Sequence, residues 1–240
     1  MAKQGELDYL KNLGDEGRIH AFNKPFSDPN CGFHLKDMGT IMSLLPPPPA
    51  RLLDLGCGSG WTSCFFALRG YDVVAQDIAD DMIALVNENK KRYGVTNVQA
   101  ITSDYESLNF HNEFDCAVFY DSLHHAEDEK AALQAVYRAL KPEAFLVTAE
   151  PGTGHTQTPA TKRAKSMYGV TEKDMPPRLI VDLSMQVGFR KFQLYARHFG
   201  PVEVVPFLSL AGLRKLIGKL GREHYYSRAM GQSNFVVLWK

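Results

Sequence analysis

Ten residues constrain this chain more than any others: LLDLGCGSGW, 52–61. A short apolar run reaches Asp54 and Leu55, and glycines then alternate at 56, 58 and 60. The following WTSCFFALRG reads as a helix closed by Gly70. Glycines between a strand and a helix allow a tight turn and let the backbone approach a ligand closely. The helix start behind them offers free N–H donors to an anionic group. A dinucleotide loop follows GxGxxG/A and needs a small residue where this chain has Trp61. Asp54, just before the loop, would repel a pyrophosphate and pair with an ammonium. Asp77 follows Gly60 by 17 residues, at the end of a second strand, where an acid binds ribose hydroxyls. Asp104 ends a third strand before Tyr105 and can accept from an exocyclic amine. The ligand implied carries an ammonium, a carboxylate and a ribose. Cys57 reads as a loop filler.

Around this loop the pattern alternates strand and helix. YDVVAQD (71–77), VQAITSD (98–104), FDCAVFYD (114–121) and EAFLVTAE (143–150) follow ARLLDLG as strands. The helix DDMIALVNENKKRYG (80–94) has acids first, bases last and Gly94 as its stop. EDEKAALQAVYRALKP (127–142) puts Leu133, Val136, Tyr137 and Leu140 on one face. Strands separated by helices predict a doubly wound α/β fold with a mostly parallel sheet, covered on both faces, with its ligand beyond the strands' carboxyl ends. Residues 1–45 read as a helical segment with a loop inside, FNKPFSDPNCGFH (22–34). Four prolines, Pro46–Pro49, then form a stiff lead-in to the first strand. Later come a helix around EKDMPPRLIVDLSMQVG, a strand FRKFQLYARH (189–198) and a last strand NFVVLWK (234–240). The stretch 199–233 reads as an insertion or cap, and it holds the amphipathic FLSLAGLRKLIGKLG.

The 27 basic and 27 acidic side chains cancel, but not locally. Residues 1–160 carry 13 bases against 22 acids, and residues 161–240 carry 14 against 5. The basic back fits a cap whose charges are solvated, an anionic acceptor, an anionic membrane surface or nucleic acid; no nucleic-acid module is legible. No apolar run reaches the roughly 18–20 residues of a membrane span, and the polar N-terminal residues carry no signal-peptide core. Four cysteines without CxxC pairs read as reduced thiols, so the expected compartment is cytoplasmic.

An amino acid joined to a ribose and adenine is S-adenosylmethionine. Here the sequence resembles the class I S-adenosylmethionine-dependent methyltransferases over roughly 50–150. The matching pieces are LLDLGCGSG, VAQD, SDYESL, FDCAVFYDSLHH and ALKPEAFLVTAEP. The resemblance implies a seven-stranded sheet with an antiparallel last strand and a lid formed by residues 1–45 over a domain at 46–240. It implies that Asp54, Gly56, Cys57, Gly58, Gly60 and Trp61 hold the methionine part. Asp77 would take the ribose, Ile78 would pack on adenine, Asp104 and Tyr105 would meet the adenine edge, and Tyr120 and Asp121 would flank the sulfonium. The chain has Glu143–Ala144 where the family often has Gly-Gly.

Methyl transfer to an alcohol wants a base near the methyl group. His124 and His125, in DSLHHAED after the fourth strand, are the candidates, with one expected at the site and one packed behind it. Glu150, ending the fifth strand before Pro151, either accepts from the substrate or caps the following helix. His155 sits in a glycine-rich loop nearby; His20 and His34 read as ordinary surface or loop residues. Lys24–Pro25–Phe26 is read either as part of a lid or as plain loop. The Asn/Asp-Pro-Pro-aromatic motif of base amino methyltransferases is absent, as is the Asp-Asn pair of the metal-dependent catechol type, so no metal is expected. The reaction expected is O-methylation of a small polar acceptor such as a sugar or glycan. N-methylation, a natural-product acceptor and a cofactor-binding regulator without turnover stay open.

Overall fold

The computed structural model describes residues 2–199 and 228–240. The amphipathic FLSLAGLRKLIGKLG and the tyrosines 225 and 226 lie outside the described residues.

Seven strands form one sheet: β1 Arg51–Leu55, β2 Asp72–Asp77, β3 Val98–Thr102, β4 Phe114–Tyr120, β5 Leu140–Ala149, β6 Lys191–Ala196 and β7 Asn234–Trp239. Their order is β3-β2-β1-β4-β5-β7-β6. β1 to β5 pair in parallel, and β7 runs antiparallel between β5 and β6. The order reverses between β1 and β4, where a doubly wound sheet opens a crevice at its carboxyl edge.

Successive strand residues face opposite ways. Leu53, Leu55, Ala117, Phe119 and Leu146 enter the core under α6 (Glu129–Ala139) and α8 (Pro177–Val187). Leu52, Val73, Cys116, Val118 and Val147 enter a second core under α3 (Cys31–Leu44) and α4 (Trp61–Arg69). Two covered faces explain why the strands read as nearly continuous apolar runs.

Helix ends follow local chemistry. α4 starts at Gly60 (φ 75°) and ends at Gly70 (φ 108°), both left-handed. α5 (Asp80–Tyr93) has Asp80 and Asp81 in its first turn and Gly94 as its cap. In α6 the Asp128 side chain accepts from the Ala131 N–H. α6 stops at Ala139, three residues before the expected boundary at Pro142. A residue before proline resists the helical region, and Leu140 pairs with Phe114 as the first residue of β5. Glu143 takes φ 63° within that strand, a left-handed conformation that glycine adopts freely.

Two N-terminal helices, α1 (Ala2–Leu7) and α2 (Tyr9–Phe22), precede α3. α3 begins at Cys31, inside the stretch expected to be loop to residue 34. α7 (Pro159–Tyr168) was not expected from the sequence. Its signal is local: Thr158 accepts from the Thr161 N–H, and Pro159 sits in the first turn. All four cysteines are free thiols. No helix of the described residues is long and apolar enough to cross a membrane.

Candidate active site

Asp54 and Asp77 end two neighbouring parallel strands, and the glycine loop is strung between them. Gly56, Gly58 and Gly60 all have positive φ. A Cβ on Gly56 would lie 2.3 Å from the Tyr105 hydroxyl and 2.6 Å from the Ser122 Cβ, so only glycine fits. The loop is pinned to β2. The Cys57 N–H donates to the Gln76 carbonyl (2.9 Å) and the Gly58 N–H to Asp77 Oδ2 (2.8 Å). Asp77 Oδ1 also accepts from the Ala79 N–H at 3.0 Å.

Asp54 is 1% exposed. Its Oδ2 accepts from the hydroxyls of Thr62 (2.6 Å) and Ser63 (2.5 Å). Burial pushes its carboxyl up to about 6, the two hydroxyls oppose this, and the Asp77 charge adds to it. Burial likewise raises Asp77, against the two backbone N–H donors. Among the described residues neither carboxylate has an ion-pair partner. Both line a cavity of about 360 Å³, together with Gly56, Cys57, Gly58, Trp61 and Ile78. That volume lies in the range of small-molecule sites. Across the cavity stand Lys3, Glu6 and Tyr9 from the first two helices, with His20 and Lys24.

Four further expected residues reach the cavity with their polar groups engaged. Asp104 accepts from Lys3 Nζ (3.0 Å) at one oxygen and from the Ser107 N–H (2.7 Å) and hydroxyl at the other. Burial opposes these donors, yet they hold its carboxyl below the usual range. Asp104 therefore already holds donors at both oxygens, with Lys3 alone on Oδ2 among the described residues. The Tyr105 hydroxyl donates to the Ser122 carbonyl (3.2 Å) and covers Gly56. The Tyr120 hydroxyl donates to Asp37 Oδ2 (3.2 Å) and lies 2.8 Å from His34 Nδ1. Asp121, at φ 46°, forms a two-point ion pair with Arg197.

The His124–His125 pair divides. His125 lines the cavity. Its Nδ1 lies 2.5 Å from the Thr171 carbonyl and 3.2 Å from Glu6 Oε1. Burial disfavours its charged form, but Glu6, Glu172 and the Thr171 carbonyl outweigh that and push it up to about 9. The division matches the expectation of one histidine at the site and one packed behind it. His124 is buried, its Nδ1 donating to Glu150 Oε2 at 2.7 Å.

Glu150, the other candidate, is engaged by the backbone. It is 1% exposed. Besides the His124 ring it accepts from the N–H groups of Ser122 (3.1 Å), Leu123 (2.9 Å) and His124 (3.3 Å). It holds the turn after β4 and keeps no oxygen for a substrate.

Sequence reasoning missed several groups. Arg197, 6% exposed, binds both Asp121 and Asp37. His34, expected on the surface, lines the cavity beside Trp61 and Tyr120. Phe26 is exposed and does not cover the cavity, whereas Lys24 lines it. Glu6 and Glu172 gather the histidines of the site. A buried arginine and carboxylates near a histidine pair carry no local signature, because their partners lie tens of residues away.

Residues 53–148 match the family described as "Methyltransferase domain". The chain is 36% identical over 97 residues to "Probable S-adenosyl-L-methionine-dependent methyltransferase TehB" of Haemophilus influenzae, covering 40% of this chain and 32% of that protein. It is 28% identical over 147 residues to the ubiquinone/menaquinone biosynthesis C-methyltransferase UbiE of Pectobacterium atrosepticum, covering 59% and 57%. The matches thus span less than two thirds of these curated relatives. Among solved structures, Haemonchus contortus phosphoethanolamine N-methyltransferase 2, in complex with phosphomonomethylethanolamine and S-adenosylhomocysteine, superposes with a TM-score of 0.70 at 18% identity, covering 100% of this chain and 61% of that one. The glycine loop and the strand order agree with this match: residues 53–148 match a methyltransferase domain, set in a fold shared with S-adenosylmethionine-dependent methyltransferases.

Proposed function

We propose that the protein transfers a methyl group from S-adenosylmethionine to a small polar acceptor, and that the acceptor atom is an oxygen. The observation that carries the cofactor part is the pair Asp54 and Asp77, two carboxylates on adjacent strands, the first buried and the second half-buried, neither with an ion-pair partner among the described residues. A buried anion without a partner is costly. An ammonium next to Asp54 removes that cost, and Asp77, with two backbone N–H donors already bound, keeps lone pairs for ribose hydroxyls. In this reading Gly56, Cys57, Gly58, Gly60 and Trp61 wrap the methionine part, Ile78 gives adenine an apolar face, and Tyr105 and Glu106 lie at its edge. Tyr120 and Asp121 stand beside the sulfonium, oriented by Asp37 and Arg197.

Bound S-adenosylmethionine supplies a methyl carbon already activated by its sulfonium, so the protein's task is to align an acceptor and exclude water. Residues 1–45 act as the lid over a domain at 46–240, because α1 and α2 supply the cavity wall facing the glycine loop. Lys24 and His125 also line the cavity, among several carboxylates, and this polar lining supports an acceptor rich in hydroxyls, such as a sugar or glycan. A second reading is N-methylation, because an amine that arrives neutral needs no base.

Calorimetry with S-adenosylmethionine on the wild type and Asp54→Asn tests the cofactor part; binding that is equally tight in both would overturn it. Release of S-adenosylhomocysteine with sugar phosphates against amino-alcohol phosphates separates the two acceptor readings.

A further inference from the structure

One cluster of side chains is not used by the cofactor site. His124, His125 and Glu172 each present one ligand atom, and the three atoms lie within 4.8 Å of one another. The histidines sit on the 3-10 turn Leu123–His125 after β4, and Glu172 on the segment between α7 and α8. From these positions we infer a divalent transition-metal site of the zinc type on the wall of the cavity, held by His124, His125 and Glu172 and closed by water.

Geometry supports the ligand set. His124 Nε2 lies 3.5 Å from Glu172 Oε2. Two tetrahedral ligands held ~2.1 Å from one zinc ion lie roughly 3.4 Å apart. His155 Nε2 is 2.7 Å from the same Glu172 oxygen, a hydrogen-bond distance, so His155 orients the carboxylate from outside the ligand set. A carboxylate and two imidazoles suit zinc, iron or cobalt more than calcium or magnesium.

The surroundings are those of a metal centre. A ligating histidine usually donates its other N–H to a carboxylate or carbonyl, which fixes the tautomer and aims the free nitrogen. His124 Nδ1 donates to the buried Glu150, and His125 Nδ1 is held by the Thr171 carbonyl beside Glu6. Glu150 is itself fixed by three backbone N–H groups. Among the described residues the Glu172 carboxylate pairs with histidines and with no lysine or arginine.

His125 and Glu172 line the cavity. An ion on them would therefore offer a Lewis-acid position to an oxygen-bearing acceptor and acidify its hydroxyl. That role rests on the methyl-transfer reading; the site itself does not.

The test is a titration of the full chain, stripped with chelator, with Co²⁺ and Zn²⁺ in the absence of cofactor and acceptor. The expected result is one equivalent of each metal, with cobalt ligand-field bands in the visible and Zn²⁺ displacing Co²⁺. Glu172→Gln and His125→Gln each weaken binding at least tenfold, with circular dichroism checking that each variant is folded. Glu150→Gln weakens it by about 10–100-fold through the His124 ring. Absence of a stoichiometric metal in equilibrium dialysis, or unchanged affinity in folded Glu172→Gln and His125→Gln, overturns the proposal. Cofactor calorimetry on the same metal-free samples reads the methyl-transfer hypothesis independently.

Discussion

Arg197 and Asp121 form a two-point ion pair across 76 positions of sequence, with Nη1 3.0 Å from Oδ1 and Nη2 2.8 Å from Oδ2. The same guanidinium binds Asp37 Oδ2 through Nε at 2.8 Å and Nη2 at 2.7 Å. Burial opposes the charge on Arg197, but the two carboxylates outweigh it and hold the group protonated. This clamp joins the N-terminal α3 and the end of β4 to the chain just after β6.

Removing the arginine leaves two carboxylates with no cation. Arg197→Ala is expected to cost about 3–5 kcal/mol, the range for breaking one side of a buried ion pair. Arg197→Lys is expected to recover only part of this, because an ammonium cannot form the fork. Urea unfolding of the three proteins reads both numbers, and a fully stable Arg197→Ala would show that the clamp is not structural.

Asp54 makes cofactor binding depend on pH. Its folded value of about 6 lies above the ordinary 3.8 because burial penalises the charge. The folded state therefore holds the proton more tightly than the unfolded one. This site's contribution to stability is full below about pH 4 and is lost as pH rises through about 6, by on the order of 3 kcal/mol. An ammonium favours the carboxylate, so S-adenosylmethionine affinity should tighten between pH 5 and pH 7. Calorimetry across that window, with Asp54→Asn as the flat control, checks the sign.

Gly56 and Gly58 have similar φ, 64° and 53°, but different surroundings. A Cβ on Gly56 collides with Tyr105 and Ser122, while one on Gly58 meets nothing within 4 Å. Gly58→Ala should lose ~1–2 kcal/mol for the left-handed backbone alone. Gly56→Ala should lose a further ~1–3 kcal/mol for overpacking. Equal melting points for the two variants would contradict this account.

Glu143 carries a side chain at φ 63°. Replacing it with glycine removes the steric cost and adds back some chain entropy. Glu143→Gly is expected to stabilise the protein by about 0.5–1 kcal/mol, visible as a higher thermal midpoint.

Glu150 accepts three backbone N–H groups and the His124 ring. Glu150→Ala is therefore expected to lower thermal stability clearly, since unsatisfied buried donors cost roughly 1–3 kcal/mol each. A substrate-side base would behave differently, losing turnover with no change in melting.

The sequence by itself determined what depends on near neighbours. The glycines of 56–60 and the helix stops at Gly70 and Gly94 are set within a few residues, and each lies where its pattern predicts; the Asp128 cap is equally local. Strand and helix periodicity also carried the doubly wound sheet, because burial on both faces leaves its mark on every strand. The Thr158–Pro159 start of α7 was equally local and equally readable. Only the tertiary structure decided how the side chains near the acceptor divide their work. It turned Glu150 onto the backbone, left Asp104 paired with Lys3, charged His125 through Glu6 and brought Glu172 to two histidines. Those partners are separated by up to 119 positions, between Glu6 and His125. Hydrogen bonds and ion pairs act over a few ångströms, so they exist only once the sheet has brought distant segments together.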